Sequence, residues 1–325
     1  MAPKRSWQKR ARAAMDLVEF FSNHIFRTVF LGTTVIGIVA GALGAFAYLR
    51  KQSLISDVIG HAALPGALLA FLMAVVVFDV DGRNMLVLIV GAVVTGTLAA
   101  LFANAIAART KIAIDTAMAI SLTTFFGLGM LLLRMIANNP YPGKGGIQDY
   151  LFGNAASITQ ADLITSVAVG ALALTLMVVF WKEFTLRTFD PVLSTMLGFR
   201  ARVIDTLMFG TIVIAIVIGV KAVGFVLMVA FVVTPPAAAR QWANTLPGMV
   251  ALSALIGGLG SGLGAYLSIS MGNVPTGPVI VLVLFAIFLV SLLASPKRSI
   301  IVTAMRRVRA RKALKRDLIS EGNTP

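Results

Sequence analysis

The run SLISDVIGHAALPGALLAFLMAVVVF, residues 53–78, decides how this chain is to be understood. It is apolar for bilayer length, since about 20 helical residues cross the ~30 Å hydrocarbon core of a membrane. Two ionisable side chains stand inside it, Asp57 and His61. Residues four apart share one helical face, a turn from each other. A carboxylate at the centre of a membrane helix costs on the order of 3 kcal/mol, so an acid kept there is a functional candidate by default. Carboxylate oxygen and ring nitrogen together suit a divalent metal such as manganese, iron or zinc.

The same apolar character extends over most of the chain. Of 325 residues, 58% are hydrophobic and 13% charged. A soluble domain carries roughly 25% charged residues, so most of this surface faces lipid. The apolar runs are long and continuous, not short and alternating, which selects helices over a barrel. The fold class is therefore all-α, a polytopic helical membrane protein of about nine transmembrane helices. The predicted spans lie near 27–49, 56–78, 85–107, 113–136, 162–181, 204–220, 222–239, 248–269 and 277–294. The sixth and seventh are short and divided only by Lys221, so they form either a broken pair or a partial re-entry. The fifth follows Thr159, with Asp162 placed to complete a capping box.

Charge divides the chain into three parts. Residues 1–26 are a basic N-terminal segment, 27–295 the transmembrane domain and 296–325 a basic cytoplasmic tail. The net charge of +15 comes largely from PKRSWQKRAR (3–12) and RRVRARKALKR (306–316). Basic blocks beside spans face anionic lipids, and no nucleic-acid partner is expected. There is no cysteine, so disulfides and thiolate metal sites are excluded. Basic loops at Arg50–Lys51, Arg109–Lys111, Lys182–Arg202, Arg240 and Lys297–Arg298 mark one side as cytoplasmic. That choice leaves Lys4, Arg5, Lys9, Arg10, Arg12 and Arg27 outside. Either residues 12–26 form an interfacial helix there, or the span count is off by one.

Spacing alone leaves the role of the Asp57–His61 pair open. Ser56 or Asp57 also suits a helix N-cap, Asp57 can pair with Arg50 or Lys51, and His61 can bond between helices. His24 is the only other histidine, so one chain cannot fill a metal sphere from histidine and thiolate. Two chains about a twofold axis would bring together two Asp57 and two His61. Gly37, Gly41 and Gly44, with GGLGSGLGAYLS (257–268), are read as helix-packing faces.

The loop WKEFTLRTFDPVLSTMLGFRAR (181–202) predicts a short helix with Asp190 as N-cap, Pro191 in its first turn and Gly198 as terminator. Val192, Leu193, Met196 and Leu197 make its apolar face, which either enters a groove of a soluble partner or packs back on its own spans. The segment 137–161, rich in Gly and Pro, is either a docking surface or a lid. PYPGKGG (140–146) lacks the spacing and hydroxyl of a phosphate-binding loop. No ATP site and no nucleophile motif is present, so the chain is not expected to be an enzyme. If the chain carries out active transport, the energy comes from a gradient or from a separate subunit.

Several segments together resemble the permease subunit of the manganese, zinc and iron ABC importers that are fed by a solute-binding protein. They are SLISDVIGHAALPG (53–66), YLFGNAASITQADL (150–163), FDPVLSTMLG (189–198), TPPAAAR (234–240) and PTGPVIVL (275–282). The resemblance runs from about Val29 to Ser295. It implies a permease of the vitamin-B12/metal-chelate importer type in the bacterial cytoplasmic (inner) membrane. It also implies a cytoplasmic ATPase dimer that carries the ATP, an extracytoplasmic metal-binding protein, and a second copy or related permease. Asp57 and His61 correspond to the family's metal site. Asp190, Pro191, Leu193, Met196, Leu197 and Gly198 correspond to the helix that couples to the ATPase. The basic tail is similar in character to the longer, basic tails of manganese- and iron-type members, whereas compact zinc-type members tend to stop soon after the last span; manganese is the expected cargo, with zinc or iron as alternatives. No permanently bound cofactor is implied; the metal is cargo. Pro235–Pro236 departs from the usual Pro-Ala and predicts a sharper kink at a gating position, and Ala119 stands where Gly is expected. The alternative reading is a gradient-driven secondary transporter or channel with Asp57 as its ion carrier.

Overall fold

The structure, a computed structural model, describes residues 22–50, 54–80, 82, 84–143, 158–272 and 274–295. The N-terminal segment to residue 21, the loop 144–157 and the tail from 296 lie outside the described residues, with the expectations placed on them. The described residues form eleven helices in chain order. They are α1 (His24–Leu49), α2 (Ile55–Leu72, continued by a π-turn over Met73–Val77), α3 (Met85–Arg109), α4 (Ile114–Asn138) and α5 (Gln160–Val179). Two short helices follow, α6 (Trp181–Phe189) and α7 (Pro191–Met196). Then come α8 (Ala201–Val223), α9 (Phe225–Ala239), α10 (Leu246–Met271) and α11 (Thr276–Ala294).

Eight of these helices are long and apolar enough to cross a membrane: α1 to α5, α8, α10 and α11. The seventh predicted span, α9, has 15 residues. At 1.5 Å per residue it reaches about 22 Å, short of the hydrocarbon core. The break between α8 and α9 is at Gly224, with φ 79°, and not at Lys221, which stays inside α8. A lysine fits a helix interior; a left-handed backbone turn favours glycine. The two helices fold back on each other there, since a Cβ on Gly219 would overlap the Met228 sulfur.

Helix starts follow their capping residues. Asn23 accepts from the Ile25 amide at 3.0 Å and starts α1. Thr159 and Asp162 form the expected capping box of α5.

The bundle is held by backbone contact. α1, α2 and α8 are its buried helices, while α4, α5 and α11 are mostly outward-facing. Gly37 of α1 and Gly257 of α10 meet so closely that a Cβ on either would overlap the other's carbonyl oxygen. One turn away the Ser253 hydroxyl donates to the Gly41 carbonyl at 2.6 Å. Gly44 lies against the Val232 carbonyl of α9. Helices α2 and α3 meet the same way through Gly66 and Gly91, and the Thr95 hydroxyl donates to the Ala62 carbonyl at 2.7 Å. Without a hydrophobic drive between helices in lipid, close approach of small residues supplies the dispersion energy. The packing faces expected at Gly37, Gly41, Gly44 and 257–268 are thus present.

Candidate metal site and docking helix

Helix α2 begins at Leu54, whose side chain makes no capping bond. Neither Ser56 nor Asp57 acts as its N-cap. Arg50 is engaged with Asp205, at 2.9 Å, and not with Asp57. Asp57 instead faces His61: the Asp57 Oδ1 and His61 Nε2 atoms are 3.3 Å apart. From Ile55 to Leu68 every residue is buried except these two. Asp57 keeps 33% of its side-chain surface and His61 17%. Over Ile55–Leu68 the helix therefore opens to a surface only at its acid and its imidazole, before opening again at Leu69.

Neighbouring helices fix the depth of the pair. Ile59 packs with Gly96 and Val213, near the midpoints of α3 and α8. The His61 ring meets Phe126, midway along α4, edge-on with centroids 4.8 Å apart. The pair lies well inside the bundle, although Asp57 is in the first turn of its own helix. Pro65 sits inside α2 and has no amide proton to give the residue four before it, which is His61. The helix is softened there.

An oxygen and a nitrogen 3.3 Å apart subtend about 100° at an ion ~2.1 Å from each, which suits tetrahedral or octahedral coordination. Two ligands do not fill a sphere. Among the described residues no three His, Cys, Asp or Glu side chains cluster to hold a metal.

At the basic end of the bundle the chain forms two short helices where one was expected. α6 was missed because its charged, weakly apolar text (WKEFTLRTF) has no span signal. Its anchor is aromatic: Phe46 of α1 packs edge-on against Trp181 and Phe184, with centroids 5.6 and 5.9 Å away. α7 has six residues and the predicted ends. Asp190 Oδ1 accepts from the Leu193 amide at 2.9 Å, and Pro191 occupies the first turn. Gly198, at φ 82°, ends it: the Phe199 amide reaches the Ser194 carbonyl and the Gly198 amide the Thr195 carbonyl, a Schellman closure. Val192, Leu193, Met196 and Leu197 are exposed, Met196 by 78%, and Ser194 faces inward. The apolar face of α7 thus points away from its own spans.

Pro235 and Pro236 lie inside α9, which runs unbroken to Ala239, and both are buried.

A family model described as the ABC 3 transport family matches residues 22–295. The chain is 38% identical over 293 residues to the zinc transport system membrane protein TroC of Treponema pallidum, covering 90% of this chain and 96% of that one. It is 37% identical over 291 residues to the manganese transport system membrane protein MntC of Bacillus subtilis, covering 90% of this chain and 66% of that one. Among solved structures, PsaBC from Streptococcus pneumoniae in complex with Fab matches with a TM-score of 0.74 and 32% identity, over 86% of this chain and 96% of that one.

Proposed function

This chain belongs to the ABC 3 transport family as a membrane permease, and on that premise we propose that it carries divalent transition-metal ions, manganese first, into the cell at the expense of ATP hydrolysed by a partner subunit. The observation that carries this reading is the exposure pattern of α2 over Ile55–Leu68, a buried run that Asp57 and His61 alone break. The relatives are named for manganese and for zinc. A donor set of carboxylate and imidazole without thiolate accepts both, and its hard oxygen favours manganese.

An extracytoplasmic binding protein delivers the ion to the outer face. Asp57 and His61 hold it at mid-depth, and the same pair on a second permease copy, or on a related permease, completes the coordination. A site finished only by assembly holds its ion weakly enough to release it. The exposed apolar face of α7 enters a groove on a cytoplasmic ATPase dimer, with Asp190, Pro191 and Gly198 shaping the helix and Leu193, Met196 and Leu197 making the contact. Pro235 and Pro236 give α9 a bend point for gating. The assembly sits in the bacterial cytoplasmic membrane, with the basic termini toward anionic lipid.

Metal uptake in a strain lacking this chain tests the proposal. Restoring the chain restores manganese uptake, and excess zinc competes. A complemented strain that takes up no divalent metal contradicts it. For the docking helix, Leu193→Asp carries a charge into an apolar groove, at a cost of several kcal/mol. Uptake then falls about a hundredfold while the permease still reaches the membrane. Unchanged uptake and ATPase stimulation in Leu193→Asp would remove α7 from the contact.

A further inference from the structure

Asp205, in the second turn of α8, is held by two arginines from different helices. Its Oδ1 accepts from Arg50 Nη1 at 2.9 Å and from Arg187 Nε at 3.0 Å, and its Oδ2 accepts from Arg187 Nη2 at 2.7 Å. All three side chains are mostly buried, with 14–18% of their surface exposed. The bond to Asp205 holds the Arg187 guanidinium above its ordinary pKa, against the opposing effect of burial. The Arg50 guanidinium also lies 5.2 Å from the centre of the Phe209 ring. Arg187 closes α6 and reaches the Pro191 carbonyl, at 3.5 Å, in the first turn of α7. Arg50 caps the end of α1, seven residues before Asp57. The three residues therefore tie the segment before α7, the segment after it and the approach to the metal-bearing helix to one carboxylate.

We propose that Asp205 is a positioning residue that passes the movement of α7 to the start of α2 by gripping Arg187 and Arg50 together. This rests on the reading of α7 as the ATPase contact and of α2 as the ion-bearing helix. A bidentate arginine–carboxylate pair transmits direction as well as attraction, because its two parallel bonds fix orientation. Two guanidinium groups share one carboxylate, so the cluster carries a net positive charge and its bonds can exchange. A cavity of about 390 Å³ lined by Asn104, Arg109, Arg202, Thr206 and Phe209 borders Asp205 on the α3 side, leaving room for it to shift.

The chain has no cysteine, so a single introduced thiol reports on α2 directly. Leu54→Cys, at the exposed start of α2, is labelled with a maleimide in the assembled transporter, with and without trapped nucleotide and without metal. In the parent, nucleotide changes the labelling rate about tenfold. In Asp205→Asn and in Arg50→Gln that change disappears, while Thr195→Cys on α7 remains protected by the ATPase. Asp205→Glu, which keeps the charge, recovers the response. Metal uptake per ATP falls about tenfold in Asp205→Asn, with basal ATP hydrolysis within about twofold of the parent. A Leu54→Cys response that survives Asp205→Asn overturns the proposal. So does a parallel loss of hydrolysis and uptake that Asp205→Glu does not repair, which marks a purely structural role. Since the labelling needs no metal, a failure of the metal reading leaves this test standing on its own.

Discussion

Asp57→Ala and His61→Ala each abolish metal uptake, by about a hundredfold or more, while the permease accumulates and assembles with its ATPase. Each copy offers two side-chain ligands, so one substitution removes half of what the chain contributes. A loss on the order of 3 kcal/mol in ion binding gives that factor. Folding survives because neither residue supports the helix. Leu54 is the N-cap of α2, no side chain caps it, and Arg50 is held by Asp205 and not by Asp57. Removing Asp57 also takes away a costly intramembrane charge. Radiolabelled manganese uptake measured beside membrane abundance checks both halves. Near-parent uptake in either variant removes the pair from the path. Loss of the protein from the membrane shows that the pair is structural.

Gly37→Val has the largest expected effect on the fold. The new Cβ would overlap the Gly257 carbonyl oxygen and the Ser261 hydroxyl, and Gly257 offers no side chain that could swing away. Separating α1 from α10 also pulls apart the Ser253–Gly41 bond one turn along. Overpacking of this kind costs about 3 kcal/mol or more, and the protein fails to accumulate. Gly127, in α4, is the internal control, since a Cβ there meets nothing within 4 Å. Gly127→Ala is tolerated and gains up to ~1 kcal/mol of helix propensity. Equal thermal stability of purified Gly37→Val and parent protein would contradict the packing account.

How much of this was legible in the sequence follows from which forces are local. Span positions rest on continuous apolarity, and eight of nine emerge as membrane-length helices. The caps at Thr159, Asp190 and Gly198 are local hydrogen-bonding problems, and each forms as its spacing implies. The break after α8 does not follow the charge at Lys221, which a helix interior accepts; it falls at Gly224, the residue able to take a positive φ. Helix α6 was invisible because aromatic contacts with Phe46 hold it in place, and its own periodicity does not. The partner of Arg50 could not be found either. Arg50 and Asp205 are 155 positions apart, and nothing local distinguishes Asp205 from Asp57 as its mate. The candidate metal pair was legible as a pair; its exposure within the buried run Ile55–Leu68 needed the fold.

In the proposed function a dication rests on Asp57 oxygen and His61 nitrogen. Pulsed electron paramagnetic resonance of manganese bound to the purified permease tests it most directly, because the chain has only two histidines, His24 and His61. Modulation from a directly bound imidazole nitrogen is expected, persisting in His24→Ala and vanishing in His61→Ala. Nitrogen modulation that survives His61→Ala, or that never appears in the parent protein, contradicts it.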